Sequence, residues 1–307
     1  MNLQTQLIVP ADKGWRIWWQ LTRPHTLTAA FVPVLLGTVI AGKYTSIHWL
    51  LFLAMLIASL LIQTATNMFN EYFDYARGLD NENSVGIGGA IVRNGVKAQT
   101  VLRLGFALFG ISMLLGLYIS VTTSWWIAVV GVICMAMGYF YTGGPKPIAY
   151  TPFGELTSGF LMGVVIIQIT FFIQTGYISK ESILVSIPIS LLIAALMLSN
   201  NIRDLDGDKI NGRKTLAILL GKTRAIQLLA GHFILSYFWV VLLILTIDAS
   251  PWLLITFVSI PKAWTAVKGF VGKTEPLEMM PAMKATGQTN TIYGLLLSVG
   301  LLISYIL

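Results

Sequence analysis

The stretch NEYFDYARGLD, which ends at Asp80, places oxygen-bearing side chains directly after a run that is apolar enough to cross a membrane. On a helix, Asn67, Asn70 and Asp74 stand at positions i, i+3 and i+7, and such residues share one face. Asp80 would point elsewhere on an unbroken helix, but Gly78 offers a break that brings it back. We therefore expect a row of amide and carboxylate oxygens at this helix end.

A second stretch, NNIRDLDGDKINGRKT at 200–215, carries a comparable row. Asn200, Asp204 and Asp208 stand at i, i+4 and i+8 and again share one helix face. Carboxylates at this density repel one another unless a cation lies among them, and Mg²⁺ prefers one or two carboxylates together with substrate phosphates. The two rows therefore predict an Mg²⁺ site. The candidate metal ligands are Asn70, Asp74, Asp80, Asn200, Asp204 and Asp208.

Lysine and arginine residues accompany both rows. A metal ion alone would not need these cations, whereas a metal-bridged polyphosphate would, so the combination predicts a polyphosphate site. Acids at the end of a membrane helix are commonly solvated loop residues, but two matching rows at helical spacing disfavour that alternative. The accompanying basic residues are Arg77, Arg93, Arg203, Lys209, Arg213 and Lys214.

The composition places these rows in a membrane protein. Of the 307 residues, 56% are hydrophobic and 11% are charged, whereas soluble domains carry about 25% charged residues. The net charge of +7 is not gathered in a basic patch of a soluble domain, so we expect no nucleic-acid partner and interpret the charge as membrane topology. Residues 1–25 lack the pattern of a signal peptide, and WRIWWQLTRP at 15–24 is typical of an interfacial lead-in.

We predict an all-α membrane protein with about nine transmembrane helices, because each span needs about 20 mostly apolar residues. The eighth candidate is the weakest, since Pro261, Lys262 and Lys268 crowd its end. The spans are expected near 26–42, 47–69, 100–121, 124–142, 153–177, 183–200, 225–247, 250–268 and 288–307.

The distribution of basic residues predicts the orientation of the chain. With the N-terminus in the cytoplasm, 18 of the 20 lysines and arginines fall on the cytoplasmic side, and only Lys43 and Lys180 fall outside. This split favours an odd number of spans, with the C-terminus outside and two Asp-rich cytoplasmic loops. We further expect a single domain over 1–307 with a weak internal repeat. The repeat would comprise helices 1–4 at about 26–142 and helices 5–8 at about 153–268, followed by a ninth helix near 288–307.

At these motifs the chain resembles the UbiA superfamily of intramembrane aromatic prenyltransferases, whose mark is two Asp-rich motifs on cytoplasmic loops after helices 2 and 6 of nine. NEYFDYARGLD looks like the first motif, and DLDGDKINGRKT has the D-x-x-x-D-x-x-x-G-x-K-T spacing of the second. The branch that makes menaquinone is the most similar. Its resemblance rests on RPHTLTAAFVPVLLG at 23–37, NMFNEYFDYARGLD at 67–80 and YTGGPKPIAYTPFGE at 141–155.

Two residues depart from the superfamily's usual first motif. Glu71 stands where an Asp usually follows the Asn, and as a longer carboxylate it is expected still to bind metal through water. Gly78 replaces the usual third acid, and Asp80 follows two residues later. That displacement is familiar in the menaquinone branch and therefore favours it.

The resemblance implies Mg²⁺-dependent transfer of a polyprenyl group from polyprenyl diphosphate to an aromatic ring. In the menaquinone branch the acceptor is 1,4-dihydroxy-2-naphthoate, and loss of diphosphate and CO₂ gives demethylmenaquinone. Two Mg²⁺ ions would bridge the diphosphate and neutralise its charge as it leaves. The allylic carbocation needs a dry pocket, from which the prenyl tail would extend into membrane lipid. The site would face the cytoplasm at the cell membrane.

The resemblance also implies roles for individual residues. The expected catalytic residues are Asp74, Asp80, Asp204, Asp208 and Lys146. The expected diphosphate-binding residues are Arg23, Arg77, Arg93, Lys146, Lys214 and Tyr141. The expected substrate and carbocation pocket comprises Asn67, Tyr72, Tyr139 and Glu155.

Several of these residues also have a simpler interpretation. Lys146 follows two glycines that allow close backbone approach, so it could reach phosphate, but it could equally be a lysine that sets membrane topology. The same alternative holds for Arg23. Any single aromatic residue near the site could serve membrane packing instead of stabilising a carbocation. Glu155 could act as a base or as the partner of a ring hydroxyl. The three histidines show no ligand spacing and receive no role.

Two rival functions remain open. A transporter would usually place ionisable groups near the middle of the bilayer on broken helices, whereas here the acids stand at the ends of almost uncharged spans. A related prenyltransferase could act on 4-hydroxybenzoate, haem or another acceptor, because acceptor choice depends on the shape of the pocket.

Overall fold

The computed structural model describes residues 13–80, 89–246 and 249–306, and within them the protein is built from helices without a β-strand. The α-helices are α1 Trp15–Leu21, α2 Thr28–Gly42, α3 Trp49–Ala76, α4 Ala98–Thr122, α5 Trp125–Thr142, α6 Gly154–Ser158, α7 Ile166–Thr175, α8 Lys180–Arg203, α9 Leu205–Ile210, α10 Leu216–Leu220, α11 Lys222–Thr246, α12 Ile260–Lys268 and α13 Pro276–Ile306. The remaining helical segments are the 3-10 turns Pro24–Thr26, Ile148–Tyr150 and Pro251–Ser259 and the π-helical segment Gly159–Val165.

Seven spans among the described residues are long and apolar enough to cross a membrane, or eight if the pair Trp15–Thr26 and Thr28–Gly42, bent by 54°, is one span. One of the seven, Gly154–Thr175, combines α6, the π-helical segment and α7. The predicted all-α membrane class is therefore confirmed. The number of nine spans, the orientation of the termini and the internal repeat stay predictions.

The first and eighth predicted spans are not single long helices. α2 has 15 residues and follows a 3-10 turn whose preceding residue, Arg23, has left-handed backbone geometry with φ of 49°. The eighth candidate consists of a 3-10 segment followed by α12. Pro251 and Pro261 each occupy the first turn of their helix, where a missing backbone N–H breaks no hydrogen bond.

α3 continues past the predicted boundary near residue 69, so Asn70 and Asp74 lie on the helix itself. Gly78, with φ of 74°, then reverses the chain. The amides of Leu79 and Asp80 consequently donate to the carbonyl of Asp74, at 2.9 and 3.3 Å. The break expected at Gly78 therefore does return Asp80 to the end of α3.

The second acidic row spans the junction of α8 and α9. α8 ends at Arg203, and Asp204 lies between the two helices with φ of −90°. The amide of Asp204 donates to the carbonyl of Asn200 at 3.0 Å, and the amide of Asp208 donates to the carbonyl of Asp204 at 2.8 Å. These bonds preserve the four-residue spacing, although the helix is interrupted.

α8 lies at the centre of the bundle, since 67% of its apolar stretch is buried, compared with 11% for α5. It packs against α11, α13 and the π-helical segment. At Gly163 of that segment, a Cβ atom would lie only 2.3 Å from the Cα atom of Ser190 on α8, so only glycine permits this approach. The close contact fixes α8, and with it the start of the second acidic row.

Candidate active site

A cavity of about 540 Å³ is enclosed by residues of α2, α3, α4, α5, α7 and α8. The polar part of its wall includes Arg23, Asn70, Asp74, Asn200, Asp204 and Arg213. Most of the remaining wall is apolar and includes Met55, Ala58, Ile62, Ile127, Ile166 and Leu196. Such a cavity suits a ligand with a charged head and an apolar tail.

The two acidic rows meet at this polar part, where one guanidinium joins them. Arg213 donates from Nη2 to Oδ1 of Asp74 at 2.6 Å and from Nη1 to Oδ1 of Asp208 at 3.1 Å. Its Cζ atom also lies 4.9 Å from the centre of the Tyr150 ring. One side chain from each predicted motif therefore binds the same guanidinium, so the two motifs lie close together.

A second guanidinium binds the acid between α8 and α9. Arg203, which is buried, donates from Nε and Nη2 to the two carboxylate oxygens of Asp204 at 2.6 and 2.5 Å. Its Nη1 contacts the sulfur of Met280 at 3.4 Å. This two-pronged pair positions the Asp204 carboxylate at the cavity wall.

Several buried polar atoms at this end of the cavity have no hydrogen-bond partner. Oδ1 of Asn200 and Oδ2 of Asp208 are unpartnered acceptors, and Nε of Arg23 and Nε of Arg213 are unpartnered donors. Buried polar atoms are rarely left in this condition, so they indicate where a ligand or an ion completes the site. The two unpartnered acceptors are oxygen atoms, and oxygen is the ligand atom that Mg²⁺ prefers. The residues present therefore fit a magnesium ion bound together with an anion.

Asp74, Asp204 and Asp208 are each paired with an arginine in this structure. Among residues 13–80, 89–246 and 249–306, no group of three or more His, Cys, Asp or Glu side chains is arranged to hold a metal ion. Burial raises the pKa of Asp208 to about 7, although the nearby Arg213 opposes this effect. Burial alone would lower the pKa of Arg213, but Asp74 and Asp208 outweigh it and raise that pKa.

Two asparagines of α3 complete the polar wall. Asn70 accepts from Oγ1 of Thr142 at 2.7 Å. Asn67 donates to the carbonyl of Thr22 at 2.8 Å and to Oγ1 of Thr26 at 3.0 Å. Asn67 therefore ties the segment before α2 to α3, while Asn70 presents its amide beside Asp74.

Arg77, expected to bind diphosphate, holds the loop after α5 instead of lining the cavity. It donates to the carbonyl of Thr142 and, at 2.8 Å, to the carbonyl of Gly144. Its Cζ atom also lies 5.4 Å from the centre of the Tyr150 ring. We therefore assign Arg77 to positioning this loop.

The other basic residues expected to bind diphosphate are divided by the structure. Arg23 lines the cavity, as does the predicted partner Tyr141. Lys146 and Lys214 are exposed, and Arg93 is half-buried; none of these three belongs to the cavity wall. Their predicted role in diphosphate binding gains no support from this geometry and stays a prediction.

Two aromatic residues expected in the substrate pocket pack elsewhere. Tyr139 lies among the rings of α3, with centroid distances of 5.3 Å to Phe69 and 5.5 Å to Phe73, and Tyr72 lies 5.2 Å from Phe73. Neither lines the cavity. Both rings therefore pack against aromatic side chains in this geometry, and their predicted place in the substrate pocket stays a prediction.

Glu155 and Asp80 lie beside the cavity without lining it. Oε1 of buried Glu155 accepts from Nδ2 of Asn201 at 2.8 Å, and Asn201 does line the cavity. Oε2 of Glu155 is buried and has no hydrogen-bond partner. Asp80 interacts electrostatically with Arg203. Each acid therefore interacts with a side chain that lines the cavity, Asn201 for Glu155 and Arg203 for Asp80.

Glu71, expected to bind metal through water, does not line the cavity. The residue is 1% exposed, and its carboxylate accepts from the amides of Gly89 at 3.1 Å and Ile91 at 3.3 Å. Nη2 of Arg23 lies 3.8 Å from the same carboxylate. The expectation is corrected: Glu71 holds the turn at Gly89 and the side chain of Arg23.

Replacing Glu71 by alanine is expected to destabilise the protein by about 1–3 kcal/mol, because the buried amide of Ile91 and the partly buried amide of Gly89 would lose their acceptor. Thermal unfolding in detergent, followed by far-ultraviolet circular dichroism, measures this loss. Glu278→Ala is the matched control, since Glu278 forms only an exposed ion pair with Lys273 at 3.7 Å. Equal stability of the Glu71 and Glu278 variants would contradict the assigned role.

Sequence reasoning named Arg203 and Arg213 only among the basic residues that accompany the second acidic row, and it gave no role to Asn201 or His25. His25 lines the cavity and its Nε2 atom is buried without a partner. The two arginines were recognisable as basic neighbours of the second row, but Lys214 was preferred to Arg213. Gly212 lies directly before them with φ of 75°, so the chain turns there, but no local pattern shows which of the two following side chains reaches the cavity.

Comparisons with known proteins identify the family. The model of the UbiA prenyltransferase family matches residues 30–285. The chain is 61% identical, over 94% of its length and 93% of the relative, to 1,4-dihydroxy-2-naphthoate octaprenyltransferase of Bacillus subtilis. It is 29% identical, over 91% and 94%, to the protein of the same name from Mycobacterium tuberculosis. A solved UbiA homolog from Archaeoglobus fulgidus, bound to GPP and Mg²⁺, has a TM-score of 0.60 at 15% identity, covering 92% of this chain and 99% of that one.

Proposed function

The chain belongs to the UbiA prenyltransferase family, and we propose that it transfers a polyprenyl group from polyprenyl diphosphate to 1,4-dihydroxy-2-naphthoate. One observation carries this proposal. Arg213 binds one acid from each row, and it does so at the polar part of a single, mainly apolar cavity. The identity to the B. subtilis enzyme, at 61% over nearly the full length of both chains, supports the choice of acceptor.

The polar part of the cavity would hold the diphosphate and its ions. Asn70, Asp74, Asn200 and Asp204 of the cavity wall would hold Mg²⁺ through their carboxylate and amide oxygens. Asp208 does not line the cavity itself, but it shares Arg213 with Asp74 and would add its carboxylate from there. Bound there, Mg²⁺ would neutralise the charge that develops on the departing diphosphate. Arg23 would add a fixed positive charge at the cavity wall. We propose two ions, since the acids come from two separate rows.

The apolar part of the cavity would hold the prenyl tail and exclude water from the reacting carbon. Leu114, Leu117 and Val132 line the cavity and are also 68%, 49% and 57% exposed, so the cavity reaches the outer surface of α4 and α5. In a protein with several membrane spans that surface faces lipid. A tail longer than the cavity could therefore continue into the bilayer while its diphosphate stays at the acidic rows.

The chemical step joins the allylic carbon of the donor to the acceptor ring. The C–O bond to diphosphate breaks, the ring supplies the electron pair for the new C–C bond, and the ring then loses its carboxyl group as CO₂ together with a proton. The product is the prenylated quinol, which is isolated as demethylmenaquinone after oxidation. We propose that Glu155, held by Asn201 at 2.8 Å, lies near the acceptor's hydroxyl groups.

The protein is a multi-pass membrane protein, and we propose that its polar cavity end faces the cytoplasm at the cell membrane. The support is the placement of 18 of the 20 lysines and arginines on that side when the spans are threaded from a cytoplasmic N-terminus. Acidic residues of both motifs fall on the same side in this arrangement.

Purified protein supplied with polyprenyl diphosphate, 1,4-dihydroxy-2-naphthoate and Mg²⁺ is expected to release diphosphate and form demethylmenaquinone. Excess EDTA is expected to abolish the reaction, and added Mg²⁺ to restore it, because the departing diphosphate depends on the ion. Liquid chromatography with mass detection measures the product. Preference for 4-hydroxybenzoate in the same assay would contradict the acceptor, and full activity in EDTA would contradict the metal site.

A further inference from the structure

Arginines compensate the carboxylates around the polar part of the cavity. Arg203 binds Asp204 at 2.6 and 2.5 Å, and Arg213 binds Asp74 and Asp208 at 2.6 and 3.1 Å. Buried carboxylates need compensation of this kind, since an unpaired charge in a low-dielectric site is strongly unfavourable. The acidic rows are therefore compensated without a divalent ion.

Arg213 differs from Arg203 because it binds one carboxylate from each row. Its side chain is 13% exposed, and its two Nη atoms diverge in a fork that suits two separate acceptors. A cation that binds both Asp74 and Asp208 would lie between the two carboxylates that this fork now joins, where its charge and that of the guanidinium repel each other. The unpartnered Oδ2 of Asp208 shows that the arginine leaves part of the acceptor capacity unused.

We propose that Arg213 occupies the divalent-cation position of the ion-free protein and competes with the ion for Asp74 and Asp208. This inference rests on the proposed metal site. A single positive charge thus holds the two rows together until a divalent ion replaces it. The ring of Tyr150, 4.9 Å from Cζ, gives the guanidinium a contact that involves neither carboxylate.

The competition has a consequence for how the site is loaded. A divalent ion arriving alone meets the positive charge of Arg213 between the two carboxylates, and it displaces two charge-assisted hydrogen bonds when it takes the guanidinium's place. An ion that arrives with diphosphate brings phosphate oxygens, which are strong acceptors for the displaced guanidinium. Arg213 would therefore weaken the binding of a divalent ion alone and favour binding of the ion together with the diphosphate of the substrate.

The test measures binding of Mn²⁺ alone to the full chain in detergent, without any substrate. Electron paramagnetic resonance reports the free ion, so the fraction bound follows from the loss of signal. Arg213→Gln is expected to bind Mn²⁺ at least about tenfold more tightly than the wild type, because no cation then competes for the carboxylates. Arg224→Gln is the matched control, an exposed arginine of α11 whose replacement changes the net charge equally and should leave the affinity unchanged.

Arg213→Lys keeps the charge but loses the fork, so an affinity between those of the wild type and Arg213→Gln is expected. This variant also serves if Arg213→Gln does not give a monodisperse peak in size-exclusion chromatography. Mn²⁺ affinity in the Arg213 variants equal to or weaker than that of the wild type would overturn the proposal, as would the same gain in Arg224→Gln.

The experiment separates this proposal from the proposed function. Because it contains neither the prenyl donor nor the aromatic acceptor, a different acceptor would leave its result untouched. If the acids did not form a metal site at all, Mn²⁺ would fail to bind both the wild type and the variants. In that case the proposed metal site and the competition would fall together, whereas an inverted order of affinities would overturn the competition alone.

Discussion

Asp74→Asn and Asp208→Asn are each expected to lower the rate of prenyl transfer by about a thousandfold while the protein stays folded. Asparagine keeps an oxygen that can accept from Arg213, so the contacts seen at 2.6 and 3.1 Å have a substitute. It removes the negative charge that the ion needs, and loss of one electrostatic stabiliser of a transition state typically costs a factor of about 10² to 10³. Release of diphosphate at saturating substrate measures the effect.

Asp206→Asn is the control for both substitutions. Asp206 belongs to the same second motif, but it is exposed and does not line the cavity. Its replacement changes the charge of α9 by the same amount and should leave the rate within about twofold, since exposed charges away from a site contribute little. Undiminished turnover in Asp74→Asn or Asp208→Asn would refute the site assignment.

Ala58→Trp is expected to reduce transfer from long polyprenyl diphosphates by at least about a hundredfold while sparing dimethylallyl diphosphate. Ala58 lines the apolar part of the cavity and is 6% exposed. It precedes Asp74 by sixteen positions on α3, which at 1.5 Å per residue is about 24 Å along the helix axis. A tryptophan there would obstruct a long tail but lie beyond the reach of a five-carbon group.

Relative rates with donors of increasing chain length measure this selectivity. Leu53→Trp is the matched control, because Leu53 lies on the same helix, is 48% exposed and does not line the cavity. Equal loss with short and long donors would mean that Ala58→Trp disturbs the fold or the diphosphate site rather than the path of the tail.

Helical spacing in the sequence predicted which residues share a face wherever the helix is continuous. Asn67, Asn70 and Asp74 line the cavity because α3 is unbroken through all three positions. The second row came close to its predicted geometry because backbone bonds to Asn200 and Asp204 preserve the spacing across the junction. Chain length and hydropathy were sufficient for the membrane class.

Residues on turns could not be placed from spacing. After α9 the amide of Arg213 donates to the carbonyl of Asp208 at 3.0 Å, and the amide of Lys214 donates to the carbonyl of Tyr150 at 3.0 Å. These tertiary bonds leave Lys214 exposed while Arg213 reaches the cavity. Lys146 lies on a loop whose course is set by Arg77, a contact that no local pattern reveals.

Tertiary contacts decided two other positions. Tyr139 packs against the rings of Phe69 and Phe73, and no local pattern reveals that contact. Family similarity at Glu71 suggested a ligand, but its contacts with the amides of Gly89 and Ile91 are those of a structural acceptor. Resemblance identified the motif, and geometry decided which members of it face the cavity.

The contact between Asp74 and Arg213 also bears on biogenesis, because its two ends lie 139 residues apart. Synthesis proceeds from the N-terminus, so α3 leaves the ribosome long before its counter-charge has been translated. Until then the carboxylate must remain hydrated or protonated, since an unpaired anion is costly in a lipid environment. A nascent chain that stops before Arg213 would retain this exposed acid, a defect that proteolytic surveillance of the membrane could recognise.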